Sequence, residues 1–171
     1  VCRCPASTRG FTLIEILVVL AIVGVLALAV SIGIATAGGE RSLSREAERF
    51  QSLVAYACTR AELTGREIGL RFEDRGYTFS RLGFDGWVDE ADEGELRARQ
   101  WPLSMRAELR RDGREVQWDQ RAREQPHIVC FSSGELSPFV LRLSIGDVEM
   151  RYDVQGHSDG RVTLERVAVS P

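Results

Sequence analysis

The acid at position 15 stands at the mouth of a long apolar run, and its placement makes the clearest chemical demand in the chain. Residues 10–15 read Gly-Phe-Thr-Leu-Ile-Glu, and residues 16–39 carry no charged side chain. A carboxylate at the edge of hydrocarbon, or inside it, is costly and normally finds a partner of opposite charge, so Glu15 requires a cation. The other reactive side chains are scarce: His127, His157, Cys130 and the pair Ser132-Ser133. His127 and Cys130, three apart in an expected strand, point to opposite faces, and Ser132-Ser133-Gly134 reads as a turn. No base, nucleophile and oxyanion donor can be grouped from these, so the chain is not read as an enzyme. The acidic run at residues 89–95 offers oxygen ligands but lacks the ordered Asp-x-Asp-x-Asp-Gly register of a calcium loop. It is read as a solvated loop, and no metal or other cofactor is expected. Cys2 and Cys4 precede the apolar run, while Cys58 and Cys130 fall in the part expected to fold. These two are read as buried thiols, because a helix cysteine and a strand cysteine seldom meet disulfide geometry. A disulfide is the alternative in an oxidising compartment.

The elements that position these groups begin with the apolar run itself. As a helix, residues 16–39 rise roughly 36 Å, enough to cross a hydrocarbon core of about 30 Å. Arg3 and Arg9 precede it, which holds the N-terminus on the cytoplasmic side and places everything after the run outside the inner membrane. A secretory signal has a similar layout, and Ala35-Thr36-Ala37 offers a cleavage site before Gly38. The run is longer than the about 7 to 15 residues of a signal core, and such a signal gains nothing from an acid at its mouth. All 22 basic residues are arginine and the net charge is -3, with the arginines interleaved among acids as at residues 110–115, the pattern of a solvated surface. A basic, aromatic-rich tail for a single strand is missing, so no nucleic-acid partner is expected.

Residues 10–15 resemble the cleavage and methylation motif of type IV pilins and type II secretion pseudopilins, six matched positions directly before a membrane span. The resemblance implies that a prepilin peptidase cuts between Gly10 and Phe11 and methylates the new Phe11 amine, with Glu15 pairing to that amine on an adjacent subunit of a filament. Val1 stands where Met is expected, which leaves the leader length open.

Beyond Gly38-Gly39 the apolar residues Leu43, Ala47, Phe50, Leu53, Val54, Ala57 and Ala61 follow helical spacing, so residues 42–63 form an amphipathic helix that Gly65 stops. Gly38-Gly39 can bend or break a helix at about 1 kcal/mol each; pilin-like proteins have one long helix, and that is the expectation adopted. From Ile68 the period becomes two, with a hairpin turn at residues 73–76. Further strands are expected at residues 103–109, 115–118, 128–131, 139–145, 148–154 and 161–169, and residues 83–102 are expected to be irregular. Trp87, Trp101 and Trp118 are read as core or loop-pinning aromatics.

These stretches are similar in spacing to one subgroup, the H-type minor pseudopilin, through residues 47–61, 65–72, 76–79, Gly86-Trp87, residues 128–134 and 160–162. Major pseudopilins resemble the chain only at its N-terminus, and the larger K-type subunit lacks the acid that Glu15 supplies. The fold class expected is α+β and type IV pilin-like: a leader at residues 1–10, a transmembrane half-helix at 11–39, an amphipathic half at 40–64 and an antiparallel periplasmic β domain at 65–171. The resemblance implies a structural subunit near the tip of the type II secretion pseudopilus, supporting export of folded proteins across the outer membrane. Its implied partners are the prepilin peptidase, inner membrane lipid, the major and other minor pseudopilins, and an exoprotein substrate or the outer-membrane secretin. The competing readings are a minor pilin of a type IV pilus or DNA-uptake filament, and a secreted soluble β domain released after Ala37.

Overall fold

The structure is a computed structural model that describes residues 12–90, 94–118, 125–146 and 150–168, with the side chains of residues 28–37 outside that description. The chain divides into two compact units, Val1–Gly38 and Gly39–Pro171. One helix, α1, is assigned over Leu13–Thr64. Its first described stretch is apolar on every side: Leu13, Ile14, Leu17, Leu20, Val25 and Leu26 are all exposed. A helix apolar all round belongs in an apolar surround.

Within the second unit α1 has a buried stripe of Leu43, Ala47, Phe50, Leu53, Val54, Ala57 and Ala61, the residues that the three-and-four spacing selects. The helix stops as a Schellman motif. The Gly65 N–H donates to the Glu62 carbonyl and the Arg66 N–H to the Ala61 carbonyl, while Gly65 takes the left-handed conformation (φ 62°) that costs a glycine least.

Two antiparallel sheets complete this unit. The first contains β1 (Ile68–Glu73), β2 (Gly76–Gly83), β3 (Gly86–Asp89), β4 (Arg99–Gln100) and β7 (Ile128–Cys130), in the order β3-β2-β1-β7 with β4 also on β2. The second runs β10-β9-β8-β5-β6, from β5 (Met105–Arg111), β6 (Arg114–Glu115), β8 (Phe139–Ile145), β9 (Met150–Gly156) and β10 (Val162–Ala168). Strand β8 alternates buried Phe139, Leu141, Leu143 and Ile145 with half-buried neighbours, the signature of a sheet with one face in the core. Asp112 and Gly113, both at positive φ, turn β5 into β6 as a two-residue hairpin whose closing pair is Arg111 and Arg114.

Phe50 joins the layers. Its ring meets Phe72, Tyr77 and Trp101 of the first sheet's region at 5.8, 5.2 and 5.9 Å, and Phe139 of the second sheet at 6.3 Å. Truncating so central an aromatic to alanine costs about 3–5 kcal/mol. At the other end of this helical segment Glu40 pairs with Arg166 of β10, and the Gln51 side-chain amide donates to the Val162 carbonyl at 2.9 Å.

Three expectations need correction. Cys58 and Cys130 are buried but are not free thiols: they form a disulfide with Cα atoms 4.8 Å apart. The stripe of α1 lies so close under β7 that the Cys130 sulfur also sits 3.9 Å from the Val54 carbonyl oxygen. Residues 83–102 are not irregular throughout, because β3 extends the β2 hairpin, β4 pairs with Gly76 and Tyr77, and Leu96 and Trp101 enter the core. The strand expected at 115–118 shrinks to Arg114–Glu115, after which Trp118 leaves the ladder to stack 5.2 Å from Phe72.

Candidate assembly site at the N-terminal helix

The first turn of α1 carries the residues with a chemical demand. Thr12 precedes the helix and acts as its N-cap: its hydroxyl accepts from the Glu15 N–H at 3.3 Å, and its carbonyl accepts from the N–H groups of Glu15 at 3.1 Å and Ile16 at 3.3 Å. These bonds satisfy donors that a helix start otherwise leaves open. They also fix where Glu15 projects, an acid in the first turn where the positive end of the helix dipole favours it. The signal for this cap is the Thr-x-x-Glu spacing directly before an apolar run. Gly10 and Phe11 lie outside the described residues. Taken over the described residues alone, no helix is long and apolar enough to cross a membrane; part of the uncharged run, residues 28–37, falls outside those whose side chains are described.

The other candidates serve the fold. The His127 Nδ1 accepts from the Phe72 N–H at 3.0 Å, extending the sheet past the end of β7. The His127 backbone is held from both sides, donating to the Leu70 carbonyl at 2.8 Å and accepting from the Arg111 guanidinium at 2.8 Å. Burial first, then the Arg71 and Arg111 cations, hold the imidazole pKa below its ordinary value, so the neutral acceptor form is favoured. His157 meets the Thr163 hydroxyl at 3.1 Å. Cys130 is consumed in the disulfide, and Ser132-Ser133-Gly134 form the turn closed by Gly134 N–H to the Phe131 carbonyl. His127, His157 and Ser132 therefore each have a place in separate turns and strand ends. Among the described residues no three His, Cys, Asp or Glu side chains gather as metal ligands.

A capped N-terminal helix with an acid in its first turn, continued by an amphipathic segment on an antiparallel β domain, is the build of a pilin-like subunit. The comparisons with known proteins agree with it. The prokaryotic N-terminal methylation motif matches residues 6–31, and the family described as Type II transport protein GspH matches residues 46–160. The chain belongs to that type II transport protein GspH family. It is similar to the type II secretion system protein H of Aeromonas hydrophila, 33% identical over 170 residues, covering 91% of this chain and 92% of the relative. It is also similar to the Pseudomonas aeruginosa protein of the same name, 35% identical over 148 residues, covering 81% and 84%. Among solved structures, the minor pseudopilin EpsH of Vibrio cholerae superposes with a TM-score of 0.62 at 21% identity, covering 76% of this chain and 98% of that one. Escherichia coli GspH superposes at 0.57, also at 21% identity, covering 77% and 92%. At such identities the structures speak for the fold, while the family rests on the sequence relatives. The family is one of structural subunits rather than enzymes.

Proposed function

We propose that this chain is a minor subunit near the tip of the type II secretion pseudopilus, where it links the major pseudopilin to other minor ones and supports export of folded proteins across the outer membrane. The carrying observation is the joint match of one chain to the methylation motif at residues 6–31 and to the H-type family at residues 46–160. Residues 1–10 act as the leader, residues 11–39 as the inner-membrane half of the helix, residues 40–64 as its amphipathic half, and residues 65–171 as the periplasmic β domain. The prepilin peptidase cuts between Gly10 and Phe11 and methylates the Phe11 amine, which keeps its charge. That amine then lies one residue before the N-cap Thr12, and Glu15 lies in the first turn behind it, on a geometry held by the Thr12 hydroxyl. Pairing the amine of one subunit with the Glu15 carboxylate of the next neutralises both charges inside the bilayer. A disulfide between Cys58 and Cys130 agrees with an oxidising compartment for the β domain.

The test is deletion of the gene, with the rest of its secretion operon intact, followed by complementation. Exoproteins are expected to accumulate in the periplasm of the deletion strain and to be released when the chain is restored. Undiminished release from the deletion strain would sink the proposal.

A further inference from the structure

The C-terminal end of α1 and the β2–β3 hairpin form one pole of the second unit, and three side chains there are apolar and uncovered. Phe84 at the hairpin tip is fully exposed, Leu63 on the last turn of the helix is 83% exposed, and Leu82 is 37% exposed. Phe84 and Leu82 line a shallow groove with Gly65, Arg66, Glu67 and Arg81. A second groove of about 530 Å³ adjoins it, sharing Arg66 and Arg81 and adding Arg60. Among the described residues Arg60, Arg66 and Arg81 make no side-chain hydrogen bond and no ion pair, although Glu90 lines the same groove. Among the described residues Arg41, Arg45, Arg75, Arg106 and Arg114 lack these too, so what sets Arg60, Arg66 and Arg81 apart is that they line one groove together.

We propose that this pole is the docking surface for a protein subunit of different sequence, one that sets an apolar side chain against Phe84 and Leu82 and carboxylates into the arginine groove. The inference rests on the secretion-subunit reading and adds to it the face used and the chemistry of the partner. An exposed aromatic beside arginines is the composition that protein interfaces concentrate at their centres. Arg60, Arg66 and Arg81 against Glu67 and Glu90 leave the grooves net positive, a charge that a partner can complement and that rejects partners of like charge. A second copy of the chain docking through the same pole would bring the arginine grooves face to face, since a two-fold contact pairs a patch with itself. A lipid headgroup is also disfavoured. Residues 39–64 are helical and rise roughly 38 Å, so the pole lies at the far end of that helix from Gly39.

The experiment uses the full chain in secreting cells, with Phe84 replaced by a photo-reactive phenylalanine analogue and, in a second strain, Ala168 on β10 replaced instead. Irradiation is expected to give one adduct to a different secretion subunit from position 84 and not from position 168. Its yield should fall at least tenfold in the R66E/R81E background and return in R66K/R81K, with the Cys58–Cys130 disulfide intact on a non-reducing gel in both. The inference is overturned by an adduct of two copies of this chain, by an adduct to lipid, by equal adducts from both positions, by no adduct from position 84, or by a yield indifferent to the charge reversal. If release depends on the chain while any of those results is found, the docking face is wrong and the secretion reading stands. If the gene deletion leaves release unchanged, the secretion reading itself has failed.

Discussion

Cys58 on the helix and Cys130 on β7 are covalently joined across a sequence separation of 72 residues. The bond lies where the helical stripe passes under the first sheet: Cys130 pairs with Ile68 of β1 in the ladder, and Val54 and Ala57 are buried beside it. It therefore ties together two elements whose contact must otherwise be won against the entropy of a long loop.

Removing this tie is expected to lower the stability of the second unit. For a loop of this length the chain-entropy account gives about 4 kcal/mol, with about 2–5 kcal/mol the common range for native disulfides. Urea unfolding of residues 39–171, comparing the wild type with Cys58→Ala/Cys130→Ala, measures it. An unchanged midpoint would mean that the unfolded chain is already compact in this region.

A pH dependence follows from His127. Its Nδ1 accepts the Phe72 N–H, and burial together with Arg71 and Arg111 lowers its pKa from 6.5 in the folded state. The unfolded chain thus takes up the proton first as pH falls, and the slope of stability with pH is positive there. The contribution is fully present above about pH 6.5 and is lost as pH drops through the lower folded value. His127→Asn, which keeps an acceptor without a titration, should show a shallower fall in urea midpoint between about pH 7 and pH 5. Parallel profiles for the two proteins would remove His127 from the account.

The features legible in the sequence were those set by local periodicity. The stripe from Leu43 to Ala61 is buried as its spacing requires, and the strand expected at residues 139–145 forms with Phe139, Leu141, Leu143 and Ile145 in the core. Strands β3 and β4 were missed because they are short, and β4 exists only through pairing with Gly76 and Tyr77. The disulfide and the His127 acceptor were illegible for the same reason, since each depends on a partner more than 50 residues away. At the helix start the residues at 10–15 pointed to Glu15, whereas Thr12 was passed over although its own spacing marked it as a cap.

Gly76 sits where the backbone of β4 pairs closely with the start of β2, and a Cβ there would collide with the Arg99 carbonyl oxygen. The obstacle is backbone, so β4 itself must shift. Gly76→Ala is expected to cost about 1–3 kcal/mol and to raise hydrogen exchange at Trp101, whose N–H donates to the Arg75 carbonyl at 2.8 Å. Gly83→Ala is the control, because its Cβ would meet only the Gly86 carbonyl oxygen at 3.4 Å and the Val88 side chain at 3.6 Å. Equal losses at the two positions would argue against the close approach of β4 as the cause.

Glu15→Gln tests the assembly role at the N-terminal helix. Insertion into the membrane draws on the uncharged run and the flanking arginines, and the substitution removes a charge that is costly in hydrocarbon, so anchoring is expected to be kept or improved. The helix start should survive as well, because the bond from Thr12 is made to the backbone N–H of residue 15 and not to its carboxylate. Cleavage before Phe11 is expected to depend mainly on Gly10 and to proceed. In the proposed assembly the substitution removes the anion facing the Phe11 amine of a neighbouring subunit, and breaking one side of a buried pair costs about 3–5 kcal/mol. A subunit present in few copies has little avidity to mask such a loss. In a strain lacking the wild-type copy, processing and membrane fractionation should be normal, while cross-linking to the major pseudopilin and exoprotein release should both fall. Normal cross-linking with normal release would show that Glu15 only marks the boundary of the apolar run.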